Sequence, residues 1–278
     1  MSDTIRFFEG SRLTADLHGE RVAVVAHGNP PEGFMDEASE AELEQVLDAI
    51  DARPGLRVVI LTGAQPGVFV RHYDVRVLER RGRALAARGK TFSTDRPVPE
   101  SAIHRCLRRI ERGERIFIAA INGVAMGGGC ELALACDLRV AQDGDYPIGL
   151  PETNLGILPG AGGTQRLARL LGGAKALEWI LFGRTAGPRD AAAAGLVNAC
   201  TEGTALAFAL AWANTLAGRH PRALAHVKRL VRGASAAGLD ASLADERTLF
   251  CDLMTDADAI GRMARMNAGG HPITRPDD

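Results

Sequence analysis

Apolar residues near the start of the chain fall into short runs that predict β-strands. Residues 3–26 contain three such runs, TIRFFE, RLTADLHG and RVAVVA, interrupted by Gly10 and Gly19, and this pattern predicts a hairpin followed by a third strand. LRVVILTG at 56–63 and RIFIAAI at 115–121 are more continuously apolar, as expected of buried strands. The chain therefore begins with a strand-rich region.

Segments with helical spacing separate these strands and define the fold class. DEASEAELEQVLDAIDA (36–52) and ESAIHRCLRRIE (100–111) each carry one apolar stripe with the period of an α-helix. The stripe residues are Leu43, Val46, Leu47 and Ile50 in the first segment and Ile103, Leu107 and Ile110 in the second. Because strands and helices alternate, we predict an α/β fold.

The second part of the chain follows a different pattern. From about residue 202 onward the apolar residues show helical spacing only, so we predict a core domain at 1–200 and a helical region at 201–278. Residues 75–96 also stand apart, because they have no evident buried face, and the stretch from Arg71 to Arg96 has eight Lys or Arg side chains against three acids. A solvated helix over a pocket and a site that attracts phosphate groups explain this basic segment equally well.

Charge and cysteine usage exclude several classes of function. The chain has 33 basic and 34 acidic side chains and a net charge of −1, so no overall field favours nucleic acid. No apolar run approaches the roughly 20 residues that span a bilayer, and the first residues lack a signal-peptide pattern. Five cysteines without metal-ligand spacing indicate reduced thiols, a cytoplasmic location and no metal site.

A glycine triplet marks the first candidate site. In NGVAMGGGCELALACD (122–137), Gly127 to Gly129 lie between a predicted strand and a predicted helix. Consecutive glycines there indicate that another group approaches the backbone closely, although tight helix–strand packing alone is the simpler alternative. The free N–H groups of a helix start favour negative charge, and Glu131 lies in that first turn. The stretch therefore predicts an anion site with its own acid or base.

Two longer motifs carry a resemblance to a known family. INGVAMGGGCELALACDLRVA, followed by PETNLGILPGAGGTQRL and GRTAGPRDAAAAGLVN, resembles the crotonase (enoyl-CoA hydratase/isomerase) superfamily over about residues 5–200, most strongly over 116–198. The resemblance implies a spiral of ββα units with a C-terminal helical trimerisation region. It also implies an acyl-CoA thioester as the substrate and no separate cofactor, since coenzyme A is part of the substrate.

Apolar stripes in the helical region fit such an assembly, because no predicted strand layer is available for them to cover. The stripes consist of Leu224, Val227, Leu230 and Val231 in one segment and Leu249, Phe250 and Leu253 in another. We therefore predict a homotrimer or a dimer of trimers.

The resemblance also implies the residues of an active site. The backbone N–H groups of Tyr73 and Gly128 match an oxyanion hole, and Glu131 and Glu152 match the two carboxylates of the hydratases. Adding water across a double bond needs a base for the water and an acid for Cα, which two carboxyls supply. The helix start favours ionised Glu131, so we assign Glu131 to the water and Glu152 to Cα. A solvated surface glutamate is the simpler alternative for Glu152.

One loop departs from the family pattern. In GVFVRHYDV (67–75), Phe69 and Asp74 match the family, but Arg71, His72 and Tyr73 replace an alanine, a glycine and a small residue. His72 is the larger concern, because a non-glycine residue resists a positive φ. Its side chain is most simply a surface histidine, with substrate contact or proton transfer as the alternative.

Further positions are predicted to bind substrate by the same resemblance. They are Phe69, Arg71, His72, Asp74, Gly127, Pro151 and Gly160. Gly160 opens GAGGTQRL, which fails the GxGxxG pattern of dinucleotide loops and is interpreted as the entry to a helix beside the acyl pocket.

Three hypotheses for function follow. The first is an enoyl-CoA hydratase-type lyase that uses both glutamates and the backbone oxyanion hole. The second is an enoyl-CoA isomerase that moves one proton with Glu152 alone, or another crotonase-type thioester reaction. The third is a non-catalytic CoA-binding homologue in which the altered first oxyanion loop has ended turnover.

Overall fold

The computed structural model describes residues 4–234 and 238–267. Its strands are β1 (Thr4–Glu9), β2 (Leu13–His18), β3 (Val22–His27), β4 (Val58–Gly63), β5 (Gly67–Val70), β6 (Ile116–Ile121), β7 (Gly123–Met126), β8 (Leu138–Gln142), β9 (Ile148–Gly149), β10 (Thr185–Ala186) and β11 (Ala199–Thr201). Its helices are α1 (Glu37–Asp51), α2 (Val75–Ala87), α3 (Ala102–Arg112), α4 (Gly128–Ala135), α5 (Gly163–Leu171), α6 (Gly173–Leu181), α7 (Pro188–Ala193), α8 (Ala205–Ala217), α9 (Pro221–Gly233), α10 (Leu239–Met254) and α11 (Ala257–Asn267), with a 3-10 turn at Glu152–Leu155.

The strands form two sheets. The larger has the order β1-β2-β3-β4-β6-β8-β11, and the smaller has the order β10-β9-β7-β5. Antiparallel pairing joins β1, β2 and β3, whereas β3, β4, β6, β8 and β11 pair in parallel. The predicted hairpin with a third strand and the predicted α/β class are therefore confirmed.

The smaller sheet contains a strand that the sequence analysis did not predict. The sequence analysis assigns no element to residues 122–126, but Gly123–Met126 pair in parallel with β5. Asn122 makes the corner, since its Nδ2 donates to the Gly63 and Gln65 carbonyls at 3.1 Å. A Cβ on Gly123 would lie 1.8 Å from the carbonyl carbon of Gly67. Glycine is therefore required where the backbones of the two strands approach closely.

The core lies on both faces of the larger sheet. In β4, Val59 and Leu61 face the cluster that contains the α1 and α3 stripes, and Val58 and Ile60 face α8, as alternation along a strand requires. The predicted stripes of α1 and α3 are buried. Helix α8 contacts the sheet through small residues four positions apart, which are Ala205, Ala209, Ala213 and Ala217. The predicted boundary at residue 200 stays a prediction, and α8 packs directly on the core.

Helix α9 is fixed to the same core by a buried lysine. The Nζ atom of Lys228 lies 2.9 Å from an Asp137 carboxylate oxygen and donates to the carbonyls of Ile110 and Arg115 at 2.8 and 2.7 Å. A buried ammonium needs such partners, because removing it from water is costly. Within the described residues, no helix is long and apolar enough to cross a membrane.

Candidate active site

A cavity of about 490 Å³ lies beside the start of α4. Helix α4 follows β7 directly, so its first turn is presented at the end of the smaller sheet. The loop before α2, the 3-10 turn and the segment before α5 form other parts of the wall. Eight of the residues that the sequence marks line it: His72, Tyr73, Gly127, Gly128, Glu131, Pro151, Glu152 and Gly160. Tertiary folding thus brings together residues that are up to 88 positions apart in sequence.

Three marked residues lie outside the cavity wall. Phe69 is 1% exposed and packs in the core, and substrate binding at this position stays a prediction. The Arg71 Nε atom donates to the Glu32 carbonyl at 2.6 Å. Asp74 caps α2 by accepting the Arg76 N–H at 2.9 Å. Both residues have internal partners, and substrate contact by them stays a prediction.

The unusual loop around His72 closes without backbone strain. Among the described residues every non-glycine has a negative φ, so the concern over a non-glycine residue at position 72 does not apply. The Met35 N–H donates to the His72 carbonyl at 2.9 Å, and the Asp74 N–H donates to the Met35 carbonyl at 2.8 Å. The His72 ring lies 4.6 Å from the Phe34 ring. These contacts hold the loop with ordinary extended pairing.

Two adjacent backbone N–H groups on the cavity wall have no partner among the described protein groups. In the described part of the chain, neither the Tyr73 N–H nor the Gly128 N–H donates to another protein group. A Cβ on Gly128 would lie 3.4 Å from the Tyr73 nitrogen, so the two backbones are neighbours. Gly128 is the first residue of α4, where the helix leaves its N–H groups unpaired and carries partial positive charge. The pair is suited to an oxygen that carries negative charge.

Glu131 is held deep in the wall by the backbone of another segment. Its side chain is buried, and its Oε1 accepts the N–H groups of Ala161 and Gly163 at 2.7 and 2.8 Å. Burial raises the pKa of Glu131, while these two donors and the Arg166 charge oppose the rise. The sequence analysis considered only the helix start, which favours ionisation; the structure adds burial as the larger effect.

Glu152 has a different environment on the same wall. It begins the 3-10 turn, and its buried Oε2 has no hydrogen-bond partner among the described groups. Burial, followed by the nearby Glu131 charge, raises the pKa of Glu152 to about 7. A Cβ on Gly127 would lie 3.2 Å from Glu152 Oε1, and Gly127 has a positive φ of 48°. The nearby carboxyl oxygen and the positive φ both explain why position 127 is a glycine.

The sequence analysis missed a serine–histidine pair that supports Glu131. His104 Nε2 lies 2.9 Å from the Gly160 carbonyl, which can only accept, so Nε2 carries the proton. Nδ1 then accepts the Ser101 hydroxyl at 2.7 Å. Gly160 precedes Ala161, whose N–H holds Glu131, so His104 fixes the segment that positions the carboxylate. The SAIH motif at the start of α3 was the available signal, but only its apolar stripe was considered.

A third carboxyl group on the wall was also missed. Glu40 of α1 lines the cavity and is 7% exposed. It lies three residues before Leu43, on the stripe that the sequence assigned to the core. A carboxyl group on an apolar stripe was the signal that the helical period offered.

Comparisons with known proteins find similarity to one family. A family model described as "Enoyl-CoA hydratase/isomerase" matches residues 18–265. The chain is 34% identical to a probable enoyl-CoA hydratase of Bacillus subtilis over 244 residues, covering 86% of this chain and 89% of that protein. It is also 34% identical to the 2,3-dehydroadipyl-CoA hydratase of Escherichia coli over 241 residues, with the same coverage. The crystal structure of an enoyl-CoA hydratase from Bacillus anthracis superposes with a TM-score of 0.82 at 29% identity, covering 95% of this chain and 98% of that one. The predicted crotonase-type fold is therefore confirmed.

Proposed function

The chain belongs to the enoyl-CoA hydratase/isomerase family, and we propose that it is a hydratase-type lyase that adds water across the α,β-double bond of an acyl-CoA thioester. The observation that carries this proposal is the placement of two carboxyl groups, Glu131 and Glu152, on one cavity wall with two free backbone donors. Relatives named as hydratases support the same reaction class.

Binding of the thioester oxygen is the first step of the proposed mechanism. The N–H groups of Tyr73 and Gly128 donate to this oxygen, and the positive end of α4 lies behind it. Attack on Cβ moves negative charge onto the oxygen as an enolate forms. Because the donors are already in place and unpaired, they stabilise the enolate more than the neutral thioester.

The two carboxyl groups then divide the proton transfers. Glu131, which two N–H groups hold as an acceptor, takes a proton from water as the water oxygen bonds to Cβ. Glu152, whose pKa is raised to about 7, supplies the proton that bonds to Cα. Exchange with solvent returns each carboxyl group to its starting state. This division requires Glu131 ionised and Glu152 protonated.

The pH dependence of turnover follows from that requirement. A group with a pKa of about 7 is protonated below that pH, so we expect kcat/KM to fall as the pH rises above about 7. On the acid side, protonation of Glu131 lowers the rate, giving a bell-shaped profile whose apparent pKa values belong to the coupled pair. Initial rates between pH 5 and 9 test this, with Glu152→Gln expected to lose the basic limb. A rate that stays constant from pH 7 to 9 would contradict the role of Glu152.

His104 is proposed as a positioning residue, and its contribution can be measured. We expect His104→Phe to lower kcat by about 10-fold to 10²-fold, because small displacements of a catalytic group are costly. Loosening the N–H groups on Glu131 also raises the pKa of Glu131, so the acid limb of the pH profile moves to higher pH. In His104→Gln an amide nitrogen replaces Nε2 and restores most of the rate. An unchanged acid limb in His104→Phe would exclude this role.

An isomerase is the second candidate function. One Glu131 oxygen is occupied by two backbone donors, whereas Glu152 has an unpartnered oxygen, an arrangement that suits a single group moving one proton. Identification of the product separates the two reactions, since a hydratase forms a 3-hydroxyacyl-CoA and an isomerase forms a shifted enoyl-CoA. The third hypothesis, a non-catalytic homologue, depended on a damaged loop; the free Tyr73 N–H supports a working one.

The proposed assembly is a homotrimer or a dimer of trimers. Several of the predicted stripe residues in α9 and α10 are exposed in the single chain, including Val227, Val231 and Phe250, and large exposed apolar side chains are typical of interfaces. We expect light scattering to give a mass three or six times that of one chain. A stable monomer at micromolar concentration would contradict the proposal. A cytoplasmic location is proposed from the five free cysteines.

A further inference from the structure

Arg166 of α5 is bonded to the segment that donates to Glu131. Its Nη1 atom donates to the Ala161 carbonyl at 2.7 Å, and the N–H group of the same alanine donates to Glu131 Oε1 at 2.7 Å. The guanidinium also lies over Gly162, where a Cβ would be 2.5 Å from Nη1 and where φ is 95°. Arg166 therefore fixes the residue that holds the carboxylate.

Glu111 of α3 fixes the Arg166 guanidinium in turn. Its Oε2 atom accepts from Arg166 Nη2 at 3.1 Å, and only 12% of the Arg166 side chain and 14% of the Glu111 side chain are exposed. Ion pairs with so little exposure are screened less by solvent than surface pairs are. Helix α3 also carries His104, which donates to the Gly160 carbonyl at 2.9 Å. The helix therefore supports the segment before α5 at two points.

A second arginine connects Glu111 to the helix that carries Glu131. The Nη1 atom of Arg232, in α9, lies 3.5 Å from Glu111 Oε1. Its Nη2 atom donates to the Cys136 carbonyl at 2.8 Å and to the Asp137 carboxylate at 3.1 Å. These two groups directly follow α4, whose first turn contains Glu131. Glu111 thus joins two guanidiniums, one on the helix of Glu131 and one on the segment that donates to it.

These three side chains lie away from the proposed substrate. Arg166, Glu111 and Arg232 line a separate cavity of about 370 Å³, and none of them lines the cavity of about 490 Å³ beside α4. Substitution of any of them changes how Glu131 is held and removes no contact with the substrate. The expected effect is therefore on kcat rather than on KM.

We propose that Arg166 and Glu111 are positioning residues, which hold Glu131 in place and set the balance of charge around it. Arg232 extends this support to the end of α4. The inference rests on the proposed hydratase function for the role of Glu131. The positive charge of Arg166 favours the carboxylate form of Glu131, and the negative charge of Glu111 opposes it.

Few other ionisable groups face Glu131. They are His104 of α3, Glu152 of the 3-10 turn and the neighbouring Cys130, whose pKa burial raises, so the thiol stays neutral. The neighbouring strands β5, β6 and β7 contain no ionisable side chain. Burial raises the pKa of Glu131, and Arg166 is the first of the charged groups that oppose this rise.

Two variants with opposite changes of charge test the proposal. Arg166→Met removes a donor and a positive charge, so we expect kcat to fall by about 10-fold to 10²-fold, KM to stay within a few-fold, and the acid limb of the pH profile to move to higher pH. Glu111→Gln keeps an acceptor for Arg166 but removes a negative charge, so the acid limb moves to lower pH. Arg166→Lys keeps the charge and a donor and should recover most of the rate. Wild-type kcat in Arg166→Met, or acid limbs that stay in place or move in the same direction in Arg166→Met and Glu111→Gln, would overturn the proposal.

Arg115 provides a matched control. It also joins a carboxylate to a backbone carbonyl, because Nη1 donates to Asp51 Oδ1 at 2.7 Å and Nη2 donates to the Arg53 carbonyl at 3.1 Å, and it does not line the cavity beside α4. Arg115→Met should lower the melting temperature and leave kcat and the acid limb unchanged. If it changes both as Arg166→Met does, general destabilisation explains the effect and the proposal is wrong.

A titration without turnover separates this inference from the proposed function. Difference infrared spectra between each protein and its Glu131→Gln counterpart isolate the carboxyl band of Glu131, which is followed against pH in wild type, Arg166→Met and Glu111→Gln. If no enoyl-CoA is hydrated but the midpoint rises in Arg166→Met and falls in Glu111→Gln, the reaction is wrong and the positioning role is correct. If hydration occurs and the midpoint is the same in all three proteins, the positioning role is wrong and the hydratase function stands.

Discussion

Replacing either Glu131 or Glu152 by glutamine is expected to lower kcat for enoyl-CoA hydration by at least about 10²-fold. Glutamine keeps the shape of the side chain and an acceptor oxygen, so the N–H groups of Ala161 and Gly163 retain a partner at position 131. What is lost is the ability to take up or release a proton. Because the two groups act on different atoms of the same substrate, each loss alone is sufficient to slow the reaction.

A matched control separates lost proton transfer from a disturbed fold. Glu42 also accepts backbone N–H groups, from Ser11, Arg12 and Leu13 at 2.8 Å, but it does not line the cavity. Glu42→Gln should lower the melting temperature and leave kcat nearly unchanged. Single-turnover rates with the best substrate of an enoyl-CoA panel provide the comparison. If Glu131→Gln or Glu152→Gln stays within tenfold of the wild-type rate, that residue does not have the proposed role.

Removing the Tyr73 N–H is expected to lower kcat by about 10²-fold to 10³-fold, the effect of losing one oxyanion donor. Tyr73→Pro removes this donor. The loop itself is held by the His72 carbonyl and the Asp74 N–H, so the missing hydrogen bond is one that the folded chain does not use. Tyr73→Ala keeps the N–H and should instead alter KM and acyl preference. Wild-type kcat in Tyr73→Pro would exclude this donor from the mechanism.

Binding and a neighbouring variant complete that experiment. The affinity of a saturated acyl-CoA is measured for Tyr73→Pro, because a distorted loop would weaken binding as well as turnover. His72→Gly is the companion variant; since residue 72 has no positive φ to relieve, kcat should stay within a few-fold of wild type. Loss of turnover in His72→Gly with thioester binding intact would make the histidine catalytic and contradict the two-glutamate mechanism.

The fold could be predicted from sequence wherever the signal was local. Helix α1 was predicted from its apolar stripe, and β4 and β6 from continuous apolar runs, because burial on one or both faces leaves a period in the sequence. Strand β7 was missed, since Gly123–Met126 follow β6 after a single residue. Only the close approach to the Gly67 backbone in three dimensions explains why a strand carries a glycine at position 123.

The candidate site was predictable in part, because its residues occupy positions in sequence motifs rather than positions in a hydrophobic period. Motif matching gives the positions of four site residues but says nothing about their surroundings. These residues are Glu131, Glu152, Tyr73 and Gly128. The rise in the pKa of Glu131 depends on burial and on N–H groups about 30 residues away, and a local helix argument has no access to either. The same limit explains Phe69, because motif position does not say on which side of β5 a side chain lies.

Residues that act through long-range partners left the weakest signals. His104 reaches a carbonyl 56 residues away, so its spacing from Ser101 indicated only an ordinary helix start. Glu40 interrupts an apolar stripe, and one polar residue in a stripe is common at a helix end. Both become candidates only when the cavity shows what they face.

The central claim is that this protein hydrates enoyl-CoA thioesters, and the most direct measurement follows the conjugated enoyl-thioester absorbance with the wild-type protein in water labelled with oxygen-18. A panel of 2-enoyl-CoA substrates of different chain lengths is used, and each product is identified by mass spectrometry. The account predicts loss of the absorbance and a 3-hydroxyacyl-CoA that carries one labelled oxygen at C3. An absorbance that persists while acyl-CoA binds, or an unlabelled product with a shifted double bond, would contradict it.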